Sequence, residues 1–298
     1  MFLNETMHYP KFLDTFKLDV GTRVCEKLKD MASNGIEHTS FTVSLNNEYV
    51  DTIEVDASLD FDCDPSDKMG YFASYFNHYD RCKDGRIHEP TLTVVCPAKG
   101  GEFDVSKLFY RVSHELTHLY DDWNSLRNGN GSICRRQQNV DTTRFIGGAI
   151  NGNNDVLKNV AMLSYMSLKT EQQAFLSQTV QELESLGCNL WNYKEALKKT
   201  DTYRNIAVSY RETVSFIRNA GYDQLRQLNW FIVNGYQKAS IPKLNIGNFD
   251  AERYRAMLLK WAERVYHGIM KSYGSVVQYY LDQLNDGLSK KRTYFTYD

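Results

Sequence analysis

His114-Glu115-Leu116-Thr117-His118 constrains this chain more than any other stretch. Two histidines four residues apart share one face of an α-helix, so both imidazoles can address a single point. Glu115 is turned roughly 100° from His114 at 3.6 residues per turn, near that point without having to occupy it. Two imidazoles with a carboxylate beside them make the donor set of a metal site. A carboxylate so placed takes a proton from a metal-bound water and later returns it to a leaving group. The spacing therefore asks for a helix with one face in the core and another at a site.

The flanking residues support that helix. Asp104 and Ser106 are both candidate N-caps ahead of it. Leu108, Phe109, Val112, Leu116 and Leu119 recur at helical spacing and form a core-facing stripe, and no proline or glycine interrupts 104–128. Just upstream, Thr91-Leu92-Thr93-Val94-Val95-Cys96 reads as a short strand closed by Pro97 and a Gly100-Gly101 turn. The alternative is an ordinary amphipathic helix with two unrelated histidines.

The segment 114–118 resembles the active-site helix of the zincin superfamily of zinc metallopeptidases, and its five letters match those of thermolysin-like members. The resemblance covers this helix and at most one later helix, well under a third of the chain. It implies one catalytic zinc held by His114 and His118, with Glu115 as general base and then acid. Metzincins continue the motif with Gly and His, where this chain has Asp121 and Asn124, so that subgroup is excluded. Gluzincins take a third ligand from a later helix. Glu171, in Thr170-Glu171-Gln172-Gln173-Ala174-Phe175, is the candidate, because it resembles their Glu-x-x-Ala pattern. Two departures stand: the interval from His118 is longer than in thermolysin, and Phe175 replaces the acidic residue that often follows. Thr170 and Gln173 suggest a capping box there; read without the resemblance, Glu171 is a first-turn glutamate favoured by the helix dipole.

Asp122, four residues past His118, shares its face and is a candidate for orienting a ligand from the outer shell, or else a solvated charge beside Asp121. Asp141, Asp155 and Glu182 are weaker choices for the third ligand. Tyr165, Tyr210, Arg211 and His267 are candidates for steadying an oxyanion. With 20 tyrosines in the chain, the choice among them stays open. Cys134 is a remote candidate for holding a metal latent. Iron also suits two histidines and a carboxylate, although the helical spacing favours zinc.

At 298 residues, with 24% charged and 42% hydrophobic residues, the chain has the composition of a water-exposed globular protein with a sizeable core. A net charge of −2 gives no reason to expect nucleic acid or an anionic membrane as partner. No run of 18 apolar residues suggests a membrane span, and the first ten residues lack the basic and apolar regions of a signal peptide. The six scattered cysteines form no Cys-x-x-Cys pair, so free thiols in a cytoplasmic, reducing setting are expected. Oligomeric state stays open.

The expected fold is α+β, mostly α and zincin-like, with a small N-terminal mixed sheet and a helical C-terminal part. Residues 1–128 form the first part, with a helix over about 9–32, strands near 40–45, 50–55 and 91–96, and an irregular or partly helical stretch at 60–90. An Asn- and Gly-rich loop, 129–154, follows as a rim or an insertion. Residues 155–298 carry helices near 155–169, 170–186, 191–198, 201–219, 223–237 and 249–284. Trp191, Tyr203, Tyr210, Phe216, Trp230 and Phe231 are read there as core aromatics, and the 290–297 tail as an edge strand or contact arm. The function expected is peptide-bond hydrolysis of a peptide or protein substrate. The alternatives are a zincin-fold protein with a binding or structural role in a larger assembly, and a metal-free helical interaction protein.

Overall fold

The computed structural model describes residues 11–45, 50–67, 70–77, 86–127, 155–235 and 241–294. The fold is mostly helical with a small N-terminal four-stranded mixed sheet, an α+β arrangement of zincin-like topology. The backbone contacts divide into two compact units, 1–134 and 135–298.

In the first unit, helix α1 (Lys11–Ser33) presents Val20, Val24, Leu28 and Met31 as one fully buried stripe. It ends where Gly35 takes a φ of +65°, which lets the Ile36 N–H reach back to the Met31 carbonyl. Strands β1 (His38–Ser44) and β2 (Thr52–Asp60) pair antiparallel, and β2 runs parallel to β4 (Thr91–Pro97). Along β2, Ile53, Val55, Ala57 and Leu59 are buried while their neighbours are not, the period of two expected of a sheet with one covered face. Helix α2 (Val105–Arg127) packs against α1 and the sheet. At the crossing of the two helices, a Cβ on Gly21 would stand 2.4 Å from the Phe109 ring, so only glycine allows this approach.

The strand missing from the sequence reading is β3 (Phe72–Phe76), which lies within the stretch expected to be irregular. It pairs antiparallel with β4 and forms an edge of the sheet, whose order is β1-β2-β4-β3. The expected turn at Asn46-Asn47 and the 129–154 loop lie outside the described residues.

The second unit contains α3 (Asp155–Met166), α4 (Lys169–Ser185), α5 (Tyr193–Lys199), α6 (Asp201–Asn219), α7 (Tyr222–Gly235) and α8 (Ala251–Tyr294). Tyr254, Trp261 and Tyr273 of α8 are among its most buried side chains. Helix α6 is capped twice. Thr200 accepts from the Tyr203 N–H at 3.3 Å, and the buried Glu182 of α4 accepts from the Thr202 N–H and hydroxyl at 3.2 and 3.1 Å. Three expectations are corrected here. Helix α8 runs through residues 290–294, so that part of the tail is not an edge strand. Trp191 is 95% exposed and Trp230 about half exposed, so neither is a core aromatic, whereas Tyr203, Tyr210, Phe216 and Phe231 do pack against the core. Helix α4 starts at Lys169 with Leu168 as its N-cap and no side-chain cap bond, so Thr170 lies inside the helix and the capping box does not form.

Candidate metal centre

The motif falls where the local sequence dictates. Asp104 rather than Ser106 is the N-cap of α2: its Oδ1 accepts from the Ser106 and Lys107 N–H groups at 3.0 and 3.2 Å. Tyr71 fixes the entry, accepting from the Asp104 N–H at 2.7 Å and donating to the Pro65 carbonyl at 3.2 Å. Before the helix, Gly100 and Gly101 sit at φ +76° and +79°, the left-handed turn anticipated after β4. Leu108, Val112, Leu116 and Leu119 then enter the core as the stripe requires, and hold the helix by the opposite side from its ligands. Truncating any of the three leucines to alanine removes about 2–5 kcal/mol of burial and packing.

On that frame, His114 and His118 are buried, at 6% and 4% exposure, with ring centroids 5.0 Å apart and planes nearly perpendicular. Ligand-type atoms of His114, Glu115 and His118 all lie within 4.8 Å of one another. A single ion bonded to its ligands at roughly 2.0–2.2 Å occupies a span close to this. The donor set fits: two imidazoles supply neutral nitrogen ligands, and the carboxylate next to them is engaged elsewhere through one oxygen. The Tyr75 backbone N–H donates to Glu115 Oε2 at 3.0 Å. The three residues match the zincin His-Glu-x-x-His signature, and the cluster they form is capable of binding a metal, which supports classification as a zincin-type metalloenzyme.

Asp122 is buried, which removes the reading of it as a solvated charge. Its Oδ2 accepts from the Tyr75 hydroxyl at 3.1 Å and from the Asn77 amide at 3.3 Å. Tyr75 is therefore tied to α2 at both ends, by its main chain to Glu115 and by its phenol to Asp122 two turns on. Sequence reasoning missed Tyr75 and Asn77. The run Phe72-Ala73-Ser74-Tyr75-Phe76 carries a strand-forming aromatic signal that the surrounding turn residues obscured. Removing the phenol oxygen in Tyr75→Phe should cost about 1–3 kcal/mol in urea unfolding, because a buried carboxylate loses a donor. A change below about 0.5 kcal/mol, the level of an ordinary surface substitution, would show that the clamp contributes nothing.

The remaining candidates belong to the second unit. Glu171 is buried, in the first turn of α4, with Ala174 fully buried one turn later. Glu182 is committed to capping α6; burial pushes its carboxyl upward in pKa, against the bonds from Gln178 and Thr202. Tyr165 packs edge-on against Phe175, and Tyr210 stacks on Tyr266 with centroids 4.1 Å apart. Arg211 donates to the Ala207 carbonyl of its own helix. His267 Nδ1 lies 2.8 Å from the Glu263 carbonyl, also within its helix, where a tautomer with that N–H donates. Asp155 begins α3; Asp141 and Cys134 lie outside the described residues.

Among the described cysteines, Cys25, Cys63, Cys96 and Cys188 are free thiols. Burial pushes Cys25 up to about 11 and Cys96 up to about 12. No described helix is long and apolar enough to cross a membrane. Comparison with protein-family models, with curated proteins and with solved structures returns no match.

Proposed function

We propose that this protein is a zinc-dependent peptidase that hydrolyses peptide bonds with a metal-activated water. The observation that carries the reading is the joint placement of two buried imidazoles and a carboxylate in one cluster. His114 and His118 would hold the ion, with Glu171 as the third protein ligand. Zinc held there would supply a water of lowered pKa, toward 7, and a Lewis acid for a carbonyl. Glu115 takes the proton. With Oε2 held by the Tyr75 N–H, Oε1 is the oxygen that receives it and passes it to the leaving nitrogen. Because Tyr75 N–H points away from β4, Tyr75 and Leu92 form a non-hydrogen-bonded pair, and by the period of two Ala73 also turns its N–H and C=O outward. Free thiols suit a reducing compartment such as the cytoplasm.

The reading is tested with an unfolded protein such as casein as substrate. Cleavage should stop on addition of a zinc chelator and return with zinc. In Glu171→Ala, metal affinity should fall by more than the roughly 10- to 100-fold typical of outer-shell changes. Zinc-loaded wild type that leaves unfolded protein intact would end the peptidase reading. Unaltered zinc affinity in Glu171→Ala would remove that residue alone.

A further inference from the structure

The large apolar side chains that the second unit leaves in water are not scattered. Among its described residues they are Leu186, Trp191, Val208, Tyr222, Trp230 and Ile246. Leu186 and Trp191 share the turn between α4 and α5, where Trp191 is almost wholly exposed. That turn is braced. Gly187 at φ +60° lets the Cys188 N–H close back on the Leu183 carbonyl at 2.9 Å. Asn189 Oδ1 accepts from the Trp191 and Asn192 N–H groups at 2.9 and 3.2 Å. In return Asn192 Oδ1 accepts from the Asn189 N–H at 2.8 Å, and its Nδ2 donates to the Gly187 carbonyl at 3.2 Å. An indole is thus held out on a pre-ordered knob, which loses little backbone freedom on docking. Trp230 and Ile246 meet elsewhere: with Phe249, Asp223 and Arg226 they line an open cavity of about 250 Å³, built from α7 and the segment leading into α8. Tyr222 packs edge-on against Phe249, with ring centroids 5.6 Å apart.

We propose that Trp191 of one copy of this chain seats in the Trp230–Ile246–Phe249 cavity of a second copy, so that the protein associates with itself head to tail. The inference is independent of the peptidase reading. Size agrees: a cavity of about 150 Å³ takes up benzene, and one of about 250 Å³ has room for the two rings of an indole. Chemistry agrees: Trp230 and Phe249 present aromatic partners, and Arg226 is a cation for the indole face. Trp and Arg are also the residues that dominate interface energetics. Charge agrees as well, since α5 behind the knob carries Lys194, Lys198 and Lys199 against Glu195, while Asp223 lines the cavity. Exposed as it is, Trp191 does not fill the cavity of its own chain, so the indole comes from another copy. Knob and cavity are different surfaces, which makes the contact heterologous. Each dimer keeps a free knob and a free cavity, and association continues into rings or filaments.

The test is sedimentation velocity of the full chain from about 1 μM to about 1 mM, alongside Trp191→Ala and Ile246→Glu. Both positions are exposed, so both variants keep the core. Wild type should form dimers and larger species as concentration rises. Either variant alone should weaken association by roughly 30-fold or more, the loss expected of an interface hot spot. Mixed together they should restore one contact, because Trp191→Ala keeps its cavity and Ile246→Glu keeps its knob, and growth should stop at the 1:1 dimer. Wild type that stays monomeric at about 1 mM overturns the proposal. So does wild-type association in either variant, or a mixture that forms no more dimer than the variants do apart.

Discussion

Replacing Glu115 by glutamine leaves the metal in place and removes turnover. The amide has nearly the shape of the carboxylate, and its oxygen still accepts from the Tyr75 N–H, so the strand and helix keep their contact. What is lost is the second oxygen's ability to take a proton. General acid–base groups contribute typically about 10²–10⁴-fold, so kcat should fall by at least about 10²-fold while zinc content and the urea midpoint stay at wild-type values. Elemental analysis alongside steady-state kinetics separates the two effects. Retained kcat would take the proton-transfer role from Glu115, whatever the metal does.

The second large effect is on metal content. His118 is buried on the face of α2 that carries His114, and His118→Ala removes one of only two imidazoles in the cluster. With one of its two imidazoles gone, the site should fall from about one zinc per chain to almost none when purified without added metal. A thermal readout needs no substrate. A ligand that binds only the folded state raises stability by RT ln(1 + [L]/Kd), so chelation should lower the melting temperature of wild type and leave that of His118→Ala unmoved. If wild type binds no zinc even when supplied with it, the motif is incidental.

What was legible in the sequence was local. The His-Glu-x-x-His helix declares itself because ligand spacing, N-cap and apolar stripe all fall within 104–127, and α6 was bounded correctly, with Gly221 as the punctuation after it. The β1–β2 pair showed through its alternation. Strand β3 did not, since its five residues pair with β4 across an interval dense in turn residues, and no short hairpin loop announces the pairing. The same distance hid Tyr75 and Asn77: their bonds to α2 span 40 to 47 residues, and no local pattern encodes them. The exposed Trp191 and Trp230 show the limit of reading aromatics as core: hydrophobicity alone does not say which side of a helix or turn faces water.

A strand at the edge of a sheet invites another copy of the same chain, and natural sheets guard against this with edge lysines, prolines or bulges. Phe72-Ala73-Ser74-Tyr75-Phe76 has no charge and no proline. Its protection comes from elsewhere: the Glu115 carboxylate occupies the Tyr75 N–H and sets a negative charge against the rim. The group that the chemistry requires thus also discourages self-templating, so loss of Glu115 threatens solubility as well as catalysis.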